Sequence, residues 1–339
     1  MKIAITADPF IPVPPVFYGG IERIIDLLCK ELSLRGHEVT LFAHRDSKTA
    51  GNLIAYRYES GSLWDTLING WTVSRAAGWG KFDLIHNFGR LGYLLPLLPA
   101  NIPKLMSYQR EPTIAQIKKA VSLSRRNTLF FTGCSDYITN QIQPYAKAFT
   151  VYNGVDTEKY TACTNISEDA PLIFLGRIEP VKGTDAAINF AVRTNKRLII
   201  AGNVPPDHQT YFEKKILPLL DSRIQYIGPV NDEQKQDLLA NGLALLMLIK
   251  WNEPFGIVMA ESMACGTPVL GLSCGAVPEV IDFGVTGYYS EEAGTLADYV
   301  SRVAQLDRSV VRKVAETRFS AKAIVNEYLK VYQYIINRK

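Results

Sequence analysis

The sequence has 339 residues, beyond the size at which one hydrophobic core usually stops growing, so two domains are expected. A hydrophobic fraction of 47% and a charged fraction of 21% exclude an intrinsically disordered chain. A net charge of +4, with Lys and Arg spread along the chain, excludes a nucleic-acid binder while permitting an anionic substrate.

The first elements form a βαβ unit. Ile3 to Thr6 is a short apolar strand. Asp8 to Gly20 carries four prolines and two glycines and reads as a loop. Ile21, Ile24, Ile25, Leu28 and Leu32 then fall at helical spacing, and Gly36 closes that helix as a C-terminal cap. His37 to Ala43 returns to strand, which predicts parallel pairing with a right-handed crossover. A hinge is expected near residues 153–161. Beyond it the pattern restarts with a strand over Pro171–Leu175, a loop from Gly176 to Gly183, and a helix through Ala186, Ala187, Phe190 and Ala191. Strands are expected at Leu198–Ala201, Ile224–Ile227, Leu243–Ile249 and Pro268–Leu272, with helical segments between them. Such alternation in both halves predicts two doubly wound α/β domains. The segment Ser320–Lys339 reads as a terminal helix with Ile324, Tyr328, Val331, Tyr332 and Ile335 on one face.

Cys29, Cys134, Cys163, Cys265 and Cys274 are odd in number and include no CxxC pair, which points to a reducing compartment rather than a disulfide framework. With four histidines they form no zinc pattern. The N-terminal apolar run is too short for a signal peptide, and no stretch approaches the roughly 20 apolar residues of a membrane-spanning helix. A cytoplasmic location is expected.

Three segments carry chemistry. Gly19 and Gly20 stand just before the first helix, where glycine permits close backbone approach and a helix N-terminus offers N–H groups to a phosphate. An ordinary flexible loop fits equally well. The segment is not GxGxxG, and no acidic residue ends the second strand, which disfavours a nicotinamide site. The second segment, Gly176 to Gly183 (GRIEPVKG), follows a strand and places Arg177 and Lys182 where open α/β sheets bind ligands. Two cations there suit a diphosphate, although alone they would read as solvated loop charges. The third is Trp251 to Glu261 (WNEPFGIVMAE), after an apolar strand and into a helix. The backbone N–H groups of Phe255, Gly256, Ile257 and Val258 would face whatever lies beyond the strand, and Glu253 and Glu261 are natural acceptors for sugar and ribose hydroxyls.

Glu253 to Glu261 resembles the E-x7-E motif of the retaining glycosyltransferases of family 4. Pro15–Arg23 (PVFYGGIER), Phe82–His86 (FDLIH), Asn153–Asp156 (NGVD), Gly176–Gly183 and Glu261–Val280 (ESMACGTPVLGLSCGAVPEV) are also similar to family segments, in the family's order. The resemblance implies the GT-B fold: two Rossmann-like doubly wound domains facing across a cleft, with the terminal helix crossing back. Residues 1–157 would then bind the acceptor and residues 158–319 the nucleotide-sugar donor, while residues 320–339 would pack on the N-terminal domain. It further implies that Gly19 and Gly20 face the donor diphosphate and that Arg177 and Lys182 neutralise it as it leaves. Glu253 would bind the donor sugar and Glu261 the ribose, with Ile227 to Val230 beside the base. One departure stands out. Family members usually carry a donor-sugar histidine after the strand that follows FDLIH, and aligning Ile102–Tyr108 with that strand puts Gln109 at its position, followed by Arg110 and Glu111. His86 belongs to the earlier motif and is read as structural.

The expected activity is therefore retaining transfer of a hexosyl group from a nucleotide-diphosphate sugar, with uridine favoured as the base. No Asp-x-Asp occurs, so metal-independent transfer without a cofactor is expected. A nucleotide-sugar epimerase, a phosphorylase and a non-catalytic nucleotide-sugar binder are the rivals. The acceptor, whether a small molecule, a glycan or a lipid-linked sugar, would be read by loops around residues 46–81. Trp64, Trp71 and Trp79 lie there and could stack on it or belong to the core. A peripheral membrane contact through the basic amphipathic stretch Ile114–Arg126 competes with a solvated helix that packs its apolar side inward.

Overall fold

A computed structural model describes residues 1–16, 19–80 and 82–338. Phe17 and Tyr18 of the glycine loop lie outside the described residues, as does the side chain of Trp79. The chain divides into two units, Met1–Gly154 with Ala321–Lys339, and Val155–Ser320.

The first unit is built on a parallel sheet of seven strands: β1 (Lys2–Thr6), β2 (Glu38–Ala43), β3 (Asn52–Ala55), β4 (Leu84–Asn87), β5 (Lys104–Tyr108), β6 (Leu129–Gly133) and β7 (Ala148–Thr150). Their order is β3-β2-β1-β4-β5-β6-β7, so the winding reverses between β1 and β4. Inner strands covered on both faces read as apolar runs, and Ile3, Ile5, Leu41, Ile85, Leu105 and Phe131 are wholly buried. Helices α1 (Gly20–Leu34), α2 (Leu63–Gly80), α3 (Ile114–Leu123) and α4 (Asp136–Ile142) lie between the strands in sequence. Gly36, at φ +77°, ends α1 as the sequence predicts, with the N–H groups of Gly36 and His37 donating to Ser33 and Leu32 carbonyls.

The second unit has six parallel strands: β8 (Leu172–Leu175), β9 (Leu198–Ala201), β10 (Ile224–Tyr226), β11 (Ala244–Met247), β12 (Val269–Leu272) and β13 (Gly287–Ser290). Their order is β10-β9-β8-β11-β12-β13, and the winding reverses between β8 and β11. Strand β13 is absent from the sequence reading. It is an edge strand that opens on Gly287, whose added Cβ would stand 1.9 Å from the Val269 carbonyl oxygen, so the local sequence GVTGYY reads as a turn. The helices used below are α5 (Thr184–Arg193), α6 (Asp232–Ala240), α7 (Ile257–Ala264) and α8 (Arg308–Arg318).

The terminal helix α9 (Ala321–Ile336) belongs to the first unit. Its buried face comprises Ile324, Tyr328, Val331, Tyr332 and Ile335, as the periodicity predicts, together with Val325. Arg35 at the end of α1 donates to Asn326 Oδ1 at 2.6 Å and to the Lys322 carbonyl at 3.2 Å. His86 on β4 explains the rest of the anchoring: its Nδ1 lies 2.6 Å from the Tyr332 hydroxyl and its Nε2 2.6 Å from Ser107 Oγ on β5. Ser107 continues the chain to Thr132 on β6. His86 is therefore a core residue, and complete burial pushes its imidazole pKa down to about 3.

Candidate active site

Open α/β sheets present ligand sites where the winding reverses, because the loops after the two flanking strands diverge there and leave a crevice. In the second unit those loops follow β8 and β11. They are the GRIEPVKG segment and the segment that carries Trp251 and Glu253.

The first loop is stitched to the second by main chain. Lys250 N–H donates to the Val181 carbonyl at 2.8 Å. Gly183 adopts φ +74°, and a Cβ there would stand 1.9 Å from the Leu248 carbonyl oxygen, so no other residue lets the loop lie this close. That closeness brings Lys182 Nζ to 2.9 Å from Glu253 Oε2. Trp251 completes the group: its indole N–H donates to the same Glu253 oxygen at 3.1 Å, and the Lys182 ammonium sits 4.6 Å from the centre of its ring. The backbone of Glu253 is held by a third segment. Ala276 N–H donates to the Glu253 carbonyl at 2.8 Å, and Glu253 forms a parallel bridge with Gly275. Gly275 has φ +58°, and its Cβ would stand 2.4 Å from the Glu253 carbonyl oxygen.

Arg177 sits on the same loop, with Nη2 2.9 Å from Glu179 Oε1. Glu179 is only 5% exposed, and its other oxygen lies 3.6 Å from His208 Nε2. A buried carboxylate thus forms an ion pair with the guanidinium, a role the sequence reading did not give to Glu179. Its signal was an acid lodged between Arg177 and Lys182.

Helix α7 opens at Gly256, which has φ +78° and no side-chain cap, so its first N–H groups carry the uncompensated end of the helix dipole. Phe255 is buried against Phe319, edge-on at 5.6 Å, which fixes the entry to the helix. Ile257 and Val258 are half-buried in its first turn. Glu261 lies one turn further and belongs to a separate cluster. Its Oε1 accepts from Lys235 Nζ at 2.6 Å and from the Tyr160 hydroxyl at 2.8 Å. Burial, with Glu261 as the next cause, pushes the Tyr160 pKa far above its ordinary value and keeps the hydroxyl a donor. Burial, then Glu261, also raises Cys265 to about 12. Arg312 holds the Tyr160 segment by donating to the carbonyls of Tyr160 at 2.7 Å and Thr157 at 2.8 Å. Val230 is half-buried between β10 and α6, just before Asn231, which caps α6 in a capping box with Gln234.

In the first unit, Gly19 caps α1 and Gly20 begins it, again with no side-chain cap. A Cβ on Gly19 would meet Pro15 Cβ at 2.7 Å and Glu22 Oε2 at 2.9 Å. Glu22 is buried, and its carboxyl pKa is raised, first by that burial. This acid at the helix start is a feature the sequence reading passed over. Gln109 is the first residue beyond β5, and its Nε2 is buried with no partner among the described residues. The neighbouring Tyr108 is pushed up to about 12 by burial.

Trp64 is 76% exposed and Trp71 60%, so neither belongs to the core. They share a face of α2 with Leu67 and Ile68, whereas the opposite side, with Val73 wholly buried and Gly70 against the Tyr93 backbone, packs inward. Helix α3 buries Ile117 and Ala120 and exposes Val121 and Leu123. No helix among the described residues is long and apolar enough to cross a membrane.

Two family models match the chain: that of glycosyltransferase family 4 over residues 18–159 and that of the group 1 glycosyl transferases over residues 156–316. The chain belongs to glycosyltransferase family 4. It is 27% identical to N-acetyl-alpha-D-glucosaminyl L-malate synthase of Bacillus anthracis, over 58% of this chain and 56% of that protein. It is 24% identical to spore coat protein SA of Bacillus subtilis, over 98% of this chain and 99% of that one. Among solved structures it is similar to AviGT4, a glycosyltransferase involved in avilamycin A biosynthesis, with a TM-score of 0.74 and 24% identity over 100% of this chain and 98% of that one. It is also similar to Anabaena HepE in complex with UDP-glucose, with a TM-score of 0.75 and 18% identity over 98% and 100%. The enzyme thus has the GT-B glycosyltransferase fold that the sequence predicts, and the epimerase and simple-binder readings find no support among these relatives.

Proposed function

We propose that this family-4 glycosyltransferase transfers a hexosyl group from a UDP-sugar with retention of anomeric configuration and without a metal ion. The observation that carries this reading is the Lys182–Glu253 pair, set where the winding of the second sheet reverses. On donor binding Lys182 and Arg177 face the diphosphate and stabilise the charge that grows on it as the glycosidic bond breaks. The N–H groups at the start of α7 add fixed positive potential without any reorganisation. Glu253, released from Lys182, accepts a hydroxyl of the donor sugar. Glu261, oriented by Lys235 and Tyr160, accepts ribose hydroxyls, and Val230 flanks the base. In the first unit, the uncapped start of α1 at Gly19 and Gly20 suits a phosphate group, and the Gln109 amide, without a partner among the described residues, suits a sugar hydroxyl. Uridine is supported by the similarity to HepE, a protein solved with UDP-glucose. The acceptor meets the first unit, where the exposed rings of Trp64 and Trp71 suit a sugar face or a lipid chain. A cytoplasmic location suits five cysteines of which none forms a disulfide among the described residues.

The test is incubation with a panel of nucleotide sugars, with and without EDTA, followed by diphosphate release and thermal shift. One UDP-sugar should both stabilise the protein and be cleaved slowly, EDTA notwithstanding. Glu253→Ala and Lys182→Ala should each lower turnover by about 100-fold or more, the scale of a lost electrostatic stabiliser. Stabilisation by no nucleotide sugar would refute the donor assignment.

A further inference from the structure

We propose that Trp251 is a positioning residue that sets the preference of this enzyme for the intact nucleotide sugar over the bare nucleotide. The inference rests on the donor assignment above.

Glu253 Oε2 has two donors, the Lys182 ammonium at 2.9 Å and the Trp251 indole N–H at 3.1 Å. The two respond differently to an arriving diphosphate. Lys182 is a flexible point charge whose better partner is then a phosphate oxygen. Trp251 can only donate, and its N–H has no reason to leave the carboxylate. So Oε2 stays held after Lys182 has turned away, and Oε1 is left to accept a sugar hydroxyl. A carboxylate fixed in this way loses little freedom when the sugar binds.

The same side chain serves Lys182 by a separate means. The ammonium stands 4.6 Å from the ring centre, where the face of the indole stabilises a cation without requiring a hydrogen-bonding oxygen. The ring can therefore hold the charge at the mouth of the site during the exchange from Glu253 to phosphate. Trp251 is 39% exposed, so its place is poorly explained by burial of apolar surface. Its N–H and its ring thus do separable jobs: the N–H serves the sugar through Glu253, and the ring serves the diphosphate through Lys182.

That separation supplies the test. Dissociation constants for UDP and for UDP-glucose, together with kcat and KM for donor cleavage, are measured for the wild type, Trp251→Phe and Trp251→Ala. Trp251→Phe keeps a ring and removes the N–H. It should leave UDP affinity within about threefold, weaken UDP-glucose about tenfold and so erase most of the sugar preference, the scale of one hydrogen bond to a charged group. Trp251→Ala should weaken UDP severalfold as well. Equal weakening of both ligands by Trp251→Phe would indicate a merely structural role, and an unchanged ratio would equally overturn the proposal. Lys182→Ala and Glu253→Ala keep this failure distinct from that of the donor assignment. If those two variants impair binding and cleavage while the Trp251 variants do not, only the present inference falls. A wild-type protein that binds neither UDP nor UDP-glucose overturns the donor assignment, and the inference with it.

Discussion

At the scale of single residues, the candidate site is decided by three glycines as much as by its charges. Gly183 lets the first loop touch the end of β11, Gly256 turns the chain into α7, and Gly275 lets a third segment pair with the backbone of Glu253. Gly183 and Gly275 touch no ligand in the proposed reading, yet each sets where a charged side chain stands, while Gly256 also opens the helix whose N–H groups face the donor. Gly275→Ala gives a sharp expectation. Its φ of +58° disfavours any other residue, and its Cβ would stand 2.4 Å from the carbonyl oxygen and 2.6 Å from the nitrogen of Glu253. The Glu253 backbone must move, and a displacement of about 1 Å can cost on the order of 100-fold in rate. Donor cleavage by the variant should fall by that order, and its melting temperature should drop by several degrees; a variant with wild-type turnover would show that Glu253 need not be held. The charged residues themselves were legible in the sequence as Arg177, Lys182, Glu253 and Glu261. Their partners were not. Lys235, Tyr160 and Arg312 carry no motif that marks them, because they reach the site from elements far apart in sequence, and Glu179 lies within GRIEPVKG but its burial shows only in the fold.

At the scale of elements, α9 shows what periodicity can and cannot deliver. The apolar face was readable from spacing, since Tyr328, Val331, Tyr332 and Ile335 must lie together on any helix. That the Tyr332 hydroxyl meets His86 was not, because 246 positions separate them. The pairing has a pH signature. Burial holds the folded His86 pKa down to about 3, while the unfolded side chain titrates near its ordinary value of about 6.5. Between these values the unfolded chain binds more protons, so the contribution is fully present above pH ~6.5 and is lost as pH falls toward 3. Unfolding free energy should drop by about 1.5–2 kcal/mol between pH 6.5 and 5 through this group alone. A His86→Gln variant should be less stable at neutral pH, because Tyr332 and Ser107 lose a matched partner, but should show a flatter profile over that interval in denaturant titrations. Helix α2 makes the opposite point. A stripe of Leu, Ile and Trp is the usual signature of a buried face, yet Trp64 and Trp71 are exposed because the side of α2 that packs is the one bearing Gly70 and Val73.

At the scale of the whole molecule, the two units have separate sheets and separate cores, and all four proposed donor-contacting charges, Arg177, Lys182, Glu253 and Glu261, lie in the second. Ligand linkage should therefore be uneven. UDP at about 100 times its dissociation constant stabilises the state that binds it by about 2.7 kcal/mol. Hydrogen exchange should slow in the presence of UDP mainly within residues 155–320, and most strongly in the loops after β8 and β11. Protection confined to residues 1–154 would place the nucleotide elsewhere. What the sequence by itself determined is the class of the segments it named and the family: apolar runs separated by amphipathic stretches can only be covered parallel strands, and loops that must approach a phosphate closely need glycines and cations at fixed offsets. What only the tertiary structure decided is which loops meet. Strand order in a sheet follows from long-range packing, and reversal of the winding between β8 and β11 is what sets Lys182 beside Glu253, 71 positions away. No local spacing encodes that distance, because the energy that fixes it is spread over the burial of the whole second core.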